Sequence, residues 1–323
     1  MSTEAAPHAG PASGPAPAPS APAGAQPWIA RAMLINLICE IGIVVTGGLV
    51  RVTDSGLGCT TWPNCVPGSF TPVAHQAQGY HKYIEYGNRA LITVLVAAGA
   101  AALWAAVAHR RRVGAGRRFV WWGTAPLWGV VAQAIIGGVT VRLKLAPIAV
   151  ALHFLPSMVI IAVSLLLYLA VRDGDLAPEH GRELRWITGA LAALTAVILA
   201  MGTVVTGSGP HAGDTGVHDR FAFNPRDVSW LHSDVVLLFT GLVVGLVLVA
   251  RLSTTGPVVR RRALWLLGVT CLQAVIGYVE YATKLPMVLV VVHMLGAALL
   301  VVAVTAVVAG VTGVRGLLHA RAA

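Results

Sequence analysis

The stretch QAIIGGVTVRLKLAPIAVALH, residues 133–153, returns 140 residues later as QAVIGYVEYATKLPMVLVVVH, residues 273–293, with no gap between the copies. Nine of 21 positions are identical: Gln133/Gln273, Ala134/Ala274, Ile136/Ile276, Gly137/Gly277, Val139/Val279, Lys144/Lys284, Leu145/Leu285, Val150/Val290 and His153/His293. Apolar composition alone matches Val, Ile, Leu and Ala by chance, but it does not put Gln, Gly, Lys and His in register. The chain reads as two copies of one unit, each with a histidine inside an apolar segment. What those histidines hold is the functional question.

The chain has 323 residues, 56% of them hydrophobic and 11% charged, and so has too few polar groups to cover a soluble globule of that size. A crossing helix needs about 20 apolar residues. Eight segments qualify: 28–50, 83–108, 119–141, 148–171, 186–206, 228–250, 263–281 and 287–311. The fold class expected is therefore an all-α integral membrane protein of eight transmembrane helices in the cell membrane, with lipid as its surroundings. The net charge of +10 does not mark a nucleic-acid binder, because the basic residues gather in alternate loops, 109–118, 172–185 and 251–262, and in the tail after Arg315. The positive-inside rule assigns these loops and both termini to the cytoplasm. Loops 51–82, 142–147, 207–227 and 282–286 then face outward. Residues 1–26, almost all Ala, Pro, Gly and Ser, are expected to be a disordered cytoplasmic tail.

VVTG occurs at 44–47 and again at 204–207, a second matched pair. The two repeats divide the chain into a four-helix bundle over 28–171 with an outer loop at 51–82, a cytoplasmic linker at 172–185, a second bundle over 186–311 and a cytoplasmic tail at 312–323. Four crossings return the chain to its starting side, so the two pseudo-symmetric halves are parallel copies related by an axis along the membrane normal.

Of the four cysteines, Cys39 and Cys271 lie inside apolar segments and read as small core residues. Cys59 and Cys65, in GCTTWPNC on the outer face, are favoured to pair in an oxidising exterior. The sequence leaves two readings open, a structural staple and an exposed redox-active pair. Zinc is disfavoured, since the outer loops hold no further Cys.

Eight of the eleven histidines fall in loops or tails; His153, His232 and His293 lie within hydrophobic segments. A titratable ring in hydrocarbon is costly unless partnered, which makes it a functional pointer, against the plainer reading of a helix–helix hydrogen bond. All three sit about five residues from the outer start of their segment, roughly 8 Å deep. Aligning IEYGNRAL with VSWLHSDV puts Asn88 at the position of His232. Each half thus offers two positions at one depth, 88 with 153 and 232 with 293, the arrangement for axial haem ligation between helices of a bundle. The second half has both histidines and the first has one, with His81 as an alternative ligand there. Glu85, Asn88 and Arg89 share a helical face. They read either as a buried ion pair or as a proton-handling site beside a bound ligand. Arg51, Arg89, Lys144 and Lys284 lie near the outer end, where they suit haem propionates or lipid headgroups.

GLGCTTWPNC, the IEYGNR segment, VVTGSGPHAGD and the repeat carrying His153, His232 and His293 together resemble the haem A synthase family. The resemblance covers about residues 28–311. It implies that haem O is the substrate, bound in the first half, and that its ring methyl is oxidised to the formyl group of haem A for cytochrome c oxidase. It implies a haem b in the second half on His232 and His293, and it matches Cys59 and Cys65 to the family's outer-loop pair and Glu85 to its acidic residue. Many members carry His where this chain has Asn88, and Asn is a poor iron ligand. A haem O synthase and an electron donor are the implied partners; the donor and any homo-oligomer are left open by the sequence. A b-type cytochrome that only transfers electrons would use the same histidines, and a transporter built from parallel repeats is a third class. The transporter reading is disfavoured because Pro147 and Pro286 sit at helix starts rather than mid-membrane.

Overall fold

A computed structural model describes residues 27–174, 181–211, 213–252 and 255–314; the expected disordered tail at 1–26, part of the 172–185 linker and nearly all of the 312–323 tail lie outside the described residues. Among the described residues the protein is helical, without β-strands. Nine helices follow in order: α1 (Pro27–Val52), α2 (His81–Val113), α3 (Arg117–Gly123), α4 (Ala125–Arg142), α5 (Pro147–Arg172), α6 (Arg182–Ser208), α7 (Pro225–Leu252), α8 (Pro257–Ala282) and α9 (Met287–Thr312). With α3 and α4 taken as one span, eight are long and apolar enough to cross a membrane.

Local chemistry sets the boundaries. The third span is broken at Thr124, because Pro126 supplies no backbone N–H to the preceding turn and restricts the residue before it. Helix α2 runs past the apolar segment through the basic cluster Arg110–Arg112 and stops where Gly114 turns left-handed, at φ 68°. The Lys-Leu pair of the repeat ends α4 and α8. Lys144 and Leu145 have φ of 48° and 59°, and Lys284 and Leu285 have 61° and 60°. Leu145 N–H then reaches back to Thr140 O (3.0 Å), as Leu285 N–H does to Glu280 O (2.8 Å), which satisfies a terminal carbonyl before the chain reverses.

Packing arranges the helices in two groups. In one, α1 touches α2 and α5 while α4 touches both of these, so α2 and α5 stand at opposite corners; in the other, α6 touches α7 and α9 while α8 touches both, so α7 and α9 are opposite. Helices α1 and α5 meet α9, and α5 meets α6, across the junction. The first group's core includes Met33, Leu37, Met158 and Ile161, and the second's Phe239, Val243, Leu246 and Leu266. Polar ties cross between elements. Asn36 Nδ2 donates to Ser164 Oγ (3.1 Å), and buried Arg262 donates to Ala306 O (2.8 Å) and Asp173 Oδ2 (2.5 Å). The outward helix faces carry exposed Leu, Val, Ile and Trp, including Trp104, Trp121, Trp186 and Trp265. Such surfaces suit lipid, with Trp near the interfaces.

At the other end the loops of the two groups interlock. Arg51 donates through Nε to His211 O (2.9 Å) and through Nη2 to Thr206 O (3.3 Å), and Gly56 N–H donates to Gly213 O (2.7 Å).

Candidate functional site

The repeated residues build the same unit twice. Gln133 on α4 donates through Nε2 to the carbonyl of His153 on α5 (2.9 Å), and Gln273 on α8 does so to the carbonyl of His293 on α9 (2.8 Å). Each imidazole lies against a glycine of the preceding helix. A Cβ on Gly137 would stand 3.2 Å from His153 Cε1, and one on Gly277 would stand 3.2 Å from His293 Cε1. Any larger residue would push the ring aside, which accounts for the Gln-x3-Gly spacing. His232, on α7, lies near Gly202, whose Cβ would be 3.6 Å from its ring.

The Nδ1 atoms of His153, His232 and His293 are all buried without a hydrogen-bond partner. A buried polar atom left unpaired is costly and calls for an explanation. The nearest group to His293 Nδ1 is Glu280 Oε2, at 3.6 Å. Imidazoles without protein hydrogen-bond partners in an apolar bundle have donor chemistry compatible with haem. No group of three or more His, Cys, Asp or Glu that could hold a bare metal ion occurs among the described residues.

His153 opens into a cavity of the first group whose inner space is about 260 Å³, or about 1360 Å³ with its open mouth included. Glu40, Glu85, Asn88, Arg89, Gln133 and His153 all line it. The structure thus brings Glu85, Asn88, Arg89 and His153 together. Asn88 Oδ1 accepts a hydrogen bond from Thr46 Oγ1 (2.7 Å). His81 is not among the lining residues; its Nδ1 pairs with Ser55 Oγ (2.9 Å) and its ring stacks on Tyr80. Lys144 and Lys284 are exposed at their left-handed turns.

Glu85 and Arg89 form an ion pair (2.5 Å) that also fastens the disulfide loop. Glu85 Oε2 accepts from Cys59 N–H (2.5 Å), and Arg89 donates to Cys59 O (3.1 Å) and Thr61 O (2.8 Å). Arg89 is therefore heavily engaged by its own protein. Cys59 and Cys65 are bonded, and both are fully buried. Of the two readings left open by the sequence, the exposed redox pair lacks the access it requires, and the staple agrees with the loop's position. That loop carries Trp62 onto Gly138, where no Cβ would fit, and Trp62 forms part of the cavity wall.

A family model described as cytochrome oxidase assembly protein (COX15-CtaA) matches residues 30–305. The chain belongs to the cytochrome oxidase assembly protein family. It is a multi-pass membrane protein. Relatives within the cytochrome oxidase assembly family include the haem A synthase of Lysinibacillus sphaericus (strain C3-41), 30% identical over 188 residues, which cover 55% of this chain and 57% of the relative. That of Geobacillus kaustophilus (strain HTA426) is 34% identical over 132 residues, 40% of this chain and 39% of the relative. The match to these two therefore spans about half or less of their length. That of Caulobacter sp. (strain K31) is 25% identical over 326 aligned positions, covering 86% of this chain and 94% of the relative.

Sequence reasoning missed three residues of this family member. Glu40 lines the cavity from α1, buried, with Oε1 unpartnered. Its signal was plain, an acid in the middle of an apolar segment. Glu280, an acid near the outer end of an apolar segment, stands where the first copy has Thr140. Met294, next to His293, reaches from α9 into the first group's cavity, and Gly48 makes room for it: a Cβ there would lie 2.5 Å from the Met294 sulfur. Nothing in the sequence pairs those two positions.

Proposed function

We propose that the chain is a haem A synthase, which oxidises the ring methyl of haem O to the formyl group of haem A. The observation that carries this reading is the cavity that joins His153 to the buried Glu85, its partner Arg89 and the amide of Asn88, in a family that includes haem A synthases. The methyl becomes a formyl group through successive hydroxylations and loss of water. When bound, the porphyrin iron supplies the redox chemistry that no side chain in the cavity can supply.

The protein's part is to bind, orient and handle protons. His153, held by Gln133 and seated on Gly137, offers the one imidazole of the first site. Asn88, held by Thr46, leaves the facing position without a strong ligand. Glu85 is placed to hold or release a proton, while Arg89 keeps it and the loop in position. Trp62 helps to wall the ring off from water. In the second group His232 and His293 would hold a haem b as the electron-transfer cofactor. Lys144 and Lys284 at the rim would meet propionates. This reading divides the chain into a substrate bundle at 28–171 and a cofactor bundle at 186–311, pseudo-symmetric, with both termini on the cytoplasmic side where the basic loops gather. Its partners would be haem O, an electron donor and a haem O synthase.

The test is expression in a host that makes haem O but no haem A, followed by extraction and chromatography of the haems. Haem A, or its hydroxylated precursor, is the expected product. A folded, haem-loaded protein that yields neither would contradict the proposal and leave an electron-transfer cytochrome.

A further inference from the structure

Three positions on one face of α8 are turned to His293: Gln273, Gly277 and Glu280, spaced by four and three residues. The first holds the His293 carbonyl and the second seats its ring. The third faces the ring nitrogen, with Glu280 Oε2 standing 3.6 Å from His293 Nδ1. Both atoms are buried and neither has a hydrogen-bond partner. The gap is slightly longer than a hydrogen bond, and a small rotation of either side chain closes it. Closing it satisfies two buried polar atoms at once.

The first copy has no counterpart. Thr140 stands at the position of Glu280, and its hydroxyl is directed at the backbone carbonyls of Ile136 (2.9 Å) and Ala149 (3.3 Å). His153 Nδ1 stays unpartnered. Among the described residues no Asp or Glu lies within ion-pair reach of His153 or of His232. Of the three membrane histidines, His293 is the one set against a carboxylate, and the residue that supplies it differs between the two copies.

We propose that Glu280 is a positioning residue for His293: its carboxylate accepts from Nδ1–H, fixes the tautomer that leaves Nε2 free for iron, and holds the second-group haem at a lower reduction potential than an unsupported imidazole would. The inference rests on the haem b reading of the second group. A ligating histidine ordinarily donates its other N–H to a carboxylate, a carbonyl or water, which orients the ring and makes it a stronger donor. A stronger donor favours the oxidised iron, and hydrogen bonding behind an axial ligand is one of the means by which a protein sets a haem potential. Such a haem gives up its electron more readily, which suits a cofactor that passes electrons to the first group.

The test is a potentiometric titration of the low-spin absorption band in the purified full chain with its second-group haem bound. Glu280→Thr gives the second copy the residue of the first. It is expected to shift the balance about tenfold toward the reduced iron, a rise in midpoint of about 59 mV for one electron. Glu280→Gln keeps the size of the side chain and an acceptor oxygen but removes the carboxylate charge. A smaller rise is expected there, with the haem retained, and this variant serves alone if Thr is not tolerated. A midpoint unchanged in both variants overturns the proposal. Loss of haem in both, with an unchanged midpoint in what remains, also overturns it, because Glu280 would then only pack. If the low-spin band survives His293→Ala, the haem b reading itself has failed, a result distinct from an unmoved midpoint in Glu280→Thr, and the role of Glu280 falls with it.

Discussion

The two groups of helices place their repeated Gln, Gly and His alike and differ on the opposite corner helix. In both, a Gln fixes the backbone of a His and a Gly seats its ring. On the opposite corner helix the copies part. Glu85, Asn88 and Arg89 on α2 correspond to Ser229, His232 and Ser233 on α7. The serines only bond back within α7, Ser229 to Pro225 O (2.6 Å) and Ser233 to Ser229 O (3.0 Å). The charged pair on α2 instead binds the disulfide loop over a cavity. Under the proposed function, the first group would hold its ligand under a loop beside acids and the second would hold its own between two histidines.

The largest expected effect breaks the loop-anchored side of this comparison. Arg89→Leu would leave buried Glu85 with only the Cys59 N–H as partner and free the loop carbonyls of Cys59 and Thr61, a loss of about 3–5 kcal/mol. It should appear as a lower thermal midpoint in detergent and as faster proteolysis within residues 53–80, with the second group's spectrum intact. Next, Asn88→His would make the first group resemble the second. With the first site loaded, a second low-spin contribution should appear in the absorption spectrum; its absence would mean that position 88 does not face the ring.

A smaller effect is expected at the ring seats. Gly277→Val would crowd His293 at a cost of about 1–3 kcal/mol, weakening haem retention in the second group. Gly137→Val should do the same to His153 and leave the low-spin haem in place. Smallest is the loss of the Gln hydrogen bonds. Gln273→Leu removes one bond and should cost about 1 kcal/mol, while Gln133→Leu also removes the bond to Ser157 Oγ (2.5 Å) and should cost about 2 kcal/mol, each read as a shift in thermal midpoint and a broadened haem band in the matching group only.

Much of this was legible in the sequence because membranes impose simple rules. Apolar runs of fixed length gave the eight spans, and an in-register Gln, Gly and His gave the repeat. The Lys-Leu pair is legible as a repeat, but its backbone role is not. Both residues adopt left-handed turns that end α4 and α8, a backbone requirement that side-chain chemistry does not announce. The break at Thr124 was hidden within one continuous apolar segment. Glu85 and Arg89 were read as an ion pair or a proton site, whereas their hold on Cys59 and Thr61 depends on how a long loop folds back, which local patterns do not determine. The contact of Met294 with Gly48 joins residues nearly the whole chain apart, and no periodicity reports it.

The claim that most needs testing is that the two sites are unequal, one a closed cofactor site and one an open substrate site. The direct measurement is the reduced-minus-oxidised absorption spectrum of the purified protein in three variants, His153→Ala, His232→Ala and His293→Ala. The account predicts that the low-spin b-type signal disappears in the second and third and survives in the first. Loss of that signal in His153→Ala with survival in His293→Ala would show that the two groups have been assigned the wrong way round.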